Sequence, residues 1–438
     1  MKFLARIGLA AAVVLVIGWT FSAHPAITAA AAPQQPETGP YRVLAPIASG
    51  NLLLFPVVRA EGKSPGETPF ITLDEGIKSG EVEVTEAGNV RGLVRPRPHD
   101  GGAWDGVMPP AENCRGDEVN TLVLVNHSKR PLLLLAGEIV TGGKQDRIIA
   151  KDRIVPPDAD PIDLSVFCIE PGRWTESSET FGASAKAPKR SFMVQPAVRE
   201  RAMADQNQQE VWDSVHGAIA QMEAAPASSG SSGGGIGSGA SADASAAPLP
   251  PATTSYAKVM ESDAISEKVD EAAAPVMRDR EQVLAKLRGE NAIGVVVAVR
   301  GRIVWADLFA NSDLLSRYWT KLVRSYAAES ITETDDHAAP SVADAQRFLN
   351  APADGVAETS EGEVGVYRYT QLRSGGAETF VLESLLPGTG YDVHLSKMRL
   401  REPVARIHPP QPPLYRAPEP IYPQPIFRPE VYQPDVDR

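Results

Sequence analysis

The stretch Arg130-Pro-Leu-Leu-Leu-Leu-Ala-Gly-Glu-Ile-Val-Thr-Gly-Gly-Lys-Gln-Asp-Arg147 constrains this chain more than any other. It sets an apolar run of strand length against a glycine pair and four charged groups: Glu138, Lys144, Asp146 and Arg147. Taken as one strand, residues 132–140 put Leu132, Leu134, Ala136, Glu138 and Val140 on one face. A carboxylate on an apolar face has its charged form disfavoured unless a partner meets it. With Gly142 and Gly143 as the central pair of a primed turn, Val140 faces Gln145, Ile139 faces Asp146 and Glu138 faces Arg147. A Glu138–Arg147 cross-strand pair is therefore expected. It is either an ion pair beside a tight turn or the wall of a polar pocket with Lys144 and Asp146 at its mouth.

Two look-alike motifs fail on spacing. Five residues separate Gly137 from Gly143-Lys144, and Gln145 follows, whereas a phosphate-binding loop needs four and then Ser or Thr. Four residues separate Cys168 from Arg173, one short of a thiolate-phosphatase loop. Cys168 shares a strand face with Ile162, Leu164 and Val166, so it reads as a small core residue or half a disulfide. Glu170, Arg173 and Trp174 stand just past that strand, where sites tend to gather; a salt bridge under an aromatic lid is the plainer reading. The seven histidines are scattered and no cysteine cluster exists, so no metal and no cofactor are expected. Ser177, Ser178 and Ser184 lack a nucleophile elbow. The candidate ligand-binding set is Glu138, Lys144, Asp146, Arg147, Glu170, Arg173 and Trp174, and no residue is assigned as catalytic.

The N-terminus speaks to compartment. Lys2 and Arg6 precede an apolar run over 7–21, and Ile27-Thr28-Ala29 fits a cleavage site before Ala30. Residues 1–29 read as an export signal, giving a periplasmic or secreted protein; the alternative is an uncleaved membrane anchor. The run is short against the roughly 20 residues of a spanning helix. Outside the cytosol Cys114 and Cys168 are a candidate disulfide, against two unrelated thiols. A net charge of -12 leaves no basic field for nucleic acid or an anionic membrane surface.

The expected fold class is α+β: a β-rich N-terminal half with hairpins, and helices packed onto it from the C-terminal half. Residues 30–41 read as a linker, 42–400 as one domain, 225–255 as a disordered Ala/Gly/Ser/Pro tether inserted in it, and 401–438 as a disordered tail. Within the domain, 51–59 reads as a strand edged or interrupted by Pro56. Thr72 to Glu75 is a capping box opening a helix that Gly80 ends, and 81–86 alternates as a half-buried strand. A long surface loop is expected at 95–118, then strands at 121–126 and 131–136 joined by a turn. Helical spacing covers 195–223 and 256–288. Hairpins are expected around Arg300-Gly301 and Gly375-Gly376, with an amphipathic helix between them capped by Asn311 or Ser312. Eleven of the last 36 residues are proline, interleaved with Tyr415, Tyr422, Phe427 and Tyr432; this is a docking segment or a passive spacer.

Leu73-Asp-Glu-Gly-Ile-Lys-Ser-Gly-Glu-Val-Glu-Val-Thr-Glu86, Gly137 to Arg147, and Cys168-Ile-Glu-Pro-Gly-Arg-Trp174 occur in that order, and Tyr318-Trp-Thr-Lys-Leu-Val-Arg-Ser-Tyr326 follows. Together they resemble the ARG and rhodanese-phosphatase-superfamily-associated protein domain, over about residues 42–335. The resemblance implies a bacterial domain of unknown function and carries over no catalytic residue. The loop at 95–118 and the tether are insertions relative to it.

Three function classes follow. The first is a non-catalytic exported module that binds a small polar or anionic ligand through Lys144, Arg147 and Arg173. The second is an envelope interaction or structural protein acting through its Pro-rich tail. The third is a hydrolase of nucleotide-derived or phosphorylated compounds with Glu138 or Glu170 as general base. The partner is thus a small ligand or another protein, and a membrane only if the signal stays attached.

Overall fold

The computed structural model describes residues 39–61, 65–86, 121–170, 178, 180–182, 192–225, 253–351, 357–374 and 376–401. Residues 1–29, read above as an export signal, the 95–118 stretch, Cys114, Arg173, Trp174, most of the 225–255 stretch and the proline-rich residues after 401 lie outside them. Three boundaries move. Tyr41, expected in the linker, opens the first strand. Ser255, expected in the tether, is buried and caps a helix. Arg401, expected in the tail, binds Glu200 and Glu329.

The fold is α+β. Strands β1 (Tyr41–Val43), β2 (Ile47–Ser49) and β3 (Leu52–Arg59) begin a nine-stranded sheet. Its other six strands come from the second half: β12 (Ala292–Val299), β13 (Arg302–Phe309), β14 (Ala357–Glu363), β15 (Tyr367–Ser374), β16 (Ala377–Ser384) and β17 (Asp392–Arg399). Their order is β1-β3-β12-β13-β17-β16-β15-β14, antiparallel throughout, with β2 beside β3. The C-terminal half therefore supplies most of this sheet as well as helices. Pro56 does not interrupt β3. Leu52–Leu54 pair with β2 and Val57–Arg59 with β1, so the proline falls in the gap between two short neighbours, where no ladder donor is asked of it.

Between these halves lie two smaller sheets. One joins β4 (Ile71–Thr72), β7 (Leu132–Leu134) and β10 (Arg153–Val155). The other orders β5 (Val82–Glu86), β6 (Thr121–Asn126), β11 (Ala159–Cys168), β9 (Arg147–Ile149) and β8 (Ile139–Val140). The strands at 121–126 and 131–136 thus belong to different sheets. Asn126 steers the crossing: its amide donates to Arg130 O and Pro156 O, and its Oδ1 accepts from Ser128. Leu132 and Leu134 face a core shared by the two small sheets, whereas Leu133 and Leu135 face the main core.

Local signals hold where they are local. Helix α1 (Leu73–Ser79) has both arms of the Thr72–Glu75 capping box and ends at Gly80, φ 74°. Arg300 and Gly301, both left-handed, turn β12 into β13. The helical stretch at 195–223 is broken into α2 (Pro196–Glu200), a π-turn (Arg201–Asp205) and α3 (Gln208–Ala224), with Gln206 left-handed between the last two. Residues 256–288 form α4 (Tyr256–Glu261), α5 (Asp263–Met277) and α6 (Arg280–Gly289). Helix α7 (Ser312–Thr332) is capped by Asn311 and buries Tyr318, Trp319 and Tyr326 in the main core. Helix α8 (Val342–Asn350) covers the opposite sheet face. Among the described residues no helix is long and apolar enough to cross a membrane.

Candidate functional site

The 132–140 stretch is not one strand. After Leu134 the chain turns, Glu138 N donating to Leu135 O, and Gly137 takes φ 87°. A side chain there would be strained, and its Cβ would stand 2.5 Å from Arg199 Cγ. This turn resets the faces, so the alternation that placed Glu138 opposite Arg147 does not run through it. The ladder also differs: Val140 pairs with Arg147 and Ile139 with Ile148, leaving residues 141–146 as a loop. The expected Glu138–Arg147 pair is absent. Glu138 is fully buried and accepts from Leu135 N (2.7 Å) and Lys321 Nζ (2.5 Å); Lys321 also meets Asp74 at 2.7 Å. Burial raises the Glu138 carboxyl above its usual range although Lys321 opposes it. Lys321 is itself held above its ordinary value: burial lowers it, but Asp74 and Glu138 outweigh that. Sealed this way, Glu138 cannot reach a substrate proton as a general base would.

The loop gathers the other candidates. Gly142 and Gly143 take φ 131° and 49°, and their neighbours also press in: a Cβ on Gly143 would stand 2.4 Å from Phe181 and 2.5 Å from Glu86. The three central amides of the loop each meet an oxygen of the protein itself. Gly142 N donates to Asp146 Oδ1 (3.1 Å), Gly143 N to Ser178 Oγ (3.3 Å) and Lys144 N to Glu86 Oε1 (2.8 Å). The donors that would cradle an anion in a phosphate loop are thus already occupied by carboxylates and a hydroxyl.

These carboxylates knit the site together. Glu86 also lies 3.9 Å from Arg147 Nη2, both nearly buried. Asp146 accepts from Ser255 Oγ (2.9 Å), which caps α4, and its own amide donates to Glu170 Oε2 (3.2 Å). Glu170 Oε1 accepts from Lys258 Nζ at 3.2 Å. Nearby Glu261 is raised, by partial burial and then by Asp146. Cys168 is buried behind them, its Sγ donating to Gln145 Oε1 (2.8 Å), while Gln208 clamps its backbone from both sides. Of the seven candidates the structure brings together Lys144, Asp146, Arg147 and Glu170. It sends Glu138 to Lys321, and Arg173 and Trp174 lie outside the described residues.

Sequence reasoning missed Glu86, Ser255 and Lys258. Glu86 carried a signal: it follows Val82 and Val84 on the buried face of β5, the same pattern that drew attention to Glu138. Ser255 and Lys258 carried none, since only the fold brings α4 to the loop. Also missed was a charged chain sealed in the main core. Arg199 forks onto Asp307 at 2.9 and 3.1 Å, and His394 bridges Asp307 (3.2 Å) and Asp152 (2.6 Å). Tyr326 OH donates to Asp307, and the Arg199 guanidinium stacks 4.4 Å over Trp305. Burial would raise Asp307, but Arg199 and His394 hold it far below the carboxylate range. The same burial would lower His394, yet Asp152 and Asp307 raise it to about 9. Among the described residues no group of His, Cys, Asp or Glu is placed to hold a metal ion.

Searches of curated proteins and of solved structures find no match. The profile of the ARG and Rhodanese-Phosphatase-superfamily-associated Protein domain matches residues 40–398, spanning all three sheets, the glycine loop and its carboxylates. The chain belongs to that family.

Proposed function

We propose that this is an exported, non-catalytic module that binds a small polar or anionic ligand at the rim of the 141–146 loop. The observation that carries the reading is a pair of lysines on a fixed base. Lys258 has a side chain 58% exposed and rests on Glu170; Lys144 is partly exposed, and its ammonium makes no ion pair among the described residues. Beneath them Asp146 and Glu170 each accept from two groups, and Glu86 accepts from the Lys144 amide and pairs with Arg147, which fixes the loop and leaves none of the three as an open base. Accessible cations over a pre-organised base suit recognition more than proton transfer. The reading extends to Arg173 and Trp174, which follow Glu170 by three and four positions. Export is supported by the basic, apolar and small-residue layout of residues 1–30.

Titration calorimetry of the purified chain with acetate, citrate, phosphate and free amino acids tests the binding. One class should bind saturably, and Lys144→Ala with Lys258→Ala should weaken it about tenfold or more. If the double variant binds every probe as the parent does, the rim is not the site. Mass spectrometry of the chain recovered after expression tests export: the expected N-terminus is Ala30, and an intact Met1 in the membrane fraction would replace export with anchoring.

A further inference from the structure

The rim of the loop carries one charged group that the lysines leave unmatched. Helix α4 presents Lys258 and Glu261 three positions apart, and residues at that spacing share a helix face. Both side chains meet the carboxylates of the loop. Lys258 Nζ donates to Glu170 Oε1 at 3.2 Å. Glu261 lies near enough to Asp146 for that carboxylate to add to the rise that partial burial causes in its own carboxyl. Asp146 and Glu170 adjoin, because the Asp146 amide donates to Glu170 Oε2 at 3.2 Å. A ligand resting on Lys258 therefore also lies beside Glu261.

Glu261 is exposed and makes no hydrogen bond or ion pair among the described residues. Two carboxylates brought together disfavour each other's charged form, and a cation between them relieves this. Lys258 shares the face of Glu261 but is turned to Glu170, where it spends one of its three donors. The balance of charge around the loop points the same way. Glu86, Asp146, Glu170 and Glu261 bring four negative charges, against three positive ones from Lys144, Arg147 and Lys258. A plain anion would add to that excess, and a plain cation would meet two exposed lysines. A ligand carrying both charges finds a complement for each.

We propose that the rim binds a small zwitterion, an α-amino acid, with Lys258 at its carboxylate and Glu261 at its ammonium. The proposal rests on the reading of the rim as a binding site and adds the class of its ligand. An α-amino acid holds its two charges on one carbon, which suits opposite charges set one helical turn apart.

The test is titration calorimetry of the full chain with glycine, alanine and glutamate, each set against the same molecule without its amine: acetate, propionate and glutarate. At least one amino acid should bind saturably, about tenfold or more tighter than its amine-free counterpart. Glu261→Gln should weaken that amino acid about tenfold and leave the amine-free acid undiminished. Its melting temperature should be unchanged, since Glu261 is exposed and holds nothing else in place. Lys258→Ala should weaken both members of the pair. Three results overturn the zwitterion and leave the rim as an anion site: amine-free acids that bind the parent as tightly as the amino acids, a Glu261→Gln variant that binds amino acids as the parent does, or binding of citrate or phosphate alone. Absence of binding by every probe overturns the rim itself, and the zwitterion with it.

Discussion

His394 carries a proton in a place water does not reach, and Asp152 and Asp307 make that tolerable. Its folded pKa, about 9, lies above the ordinary 6.5, so the folded state holds this proton more tightly than the unfolded chain does. The resulting stabilisation is fully present below pH 6.5 and is lost as pH rises towards 9. Its size is on the order of 3 kcal/mol. Urea unfolding across that window should show the decline, and His394→Asn should lower stability at pH 6 and flatten the slope. A parent curve with no fall between pH 6.5 and 9 would mean that the histidine is neutral. Nothing local in the sequence announced this residue. It is one histidine in an otherwise ordinary strand; its partners Asp152 and Asp307 come from the loop before β10 and from β13, and Asp307 is held in turn by Arg199 of α2 and Tyr326 of α7.

At the scale of elements, the glycine loop shows how far local reasoning reaches. The Thr72–Glu75 capping box and the hairpin turn at Arg300-Gly301 are decided within a few residues and were legible, whereas the primed turn expected at Gly142-Gly143 did not form. The partner of Glu138 was not, because one left-handed glycine resets the faces and a lysine 183 residues away supplies the charge. Had the buried-carboxylate argument been applied to β5 as well, Glu86 would have been found. Its importance can be measured. Glu86→Ala removes the acceptor of the Lys144 amide and a partner of the buried Arg147. It should cost about 2 to 3 kcal/mol in denaturant unfolding. Glu86→Gln, which keeps an acceptor oxygen, should cost about 1 kcal/mol; equal losses would show that charge alone matters.

At the scale of the whole molecule, composition and pattern gave α+β and the β-rich start, but not which strands of the first half pair with strands of the second. Strand β12 lies between β3 from the first half and β13 from the second, and all eight of its residues are buried. A chain from 253 onward would leave β12 as a bare apolar edge, which invites aggregation. Co-expressed fragments 40–225 and 253–401 should therefore purify together as a 1:1 complex, while the second alone should be insoluble. A soluble, monomeric second fragment would show that the halves are separable units.

Strand β7 is only three residues long, yet its side chains are dealt alternately to two cores. It is a party wall. A wall shared by two rooms cannot be taken down for one of them, so neither core can open while the other stays shut. The molecule should then lack the partly open states through which sandwiched sheets usually breathe. The amide protons of Leu133 and Leu134 should exchange with solvent only when the whole fold opens, with an opening free energy equal to that from denaturant melts. Faster exchange there would mean that the wall has a door.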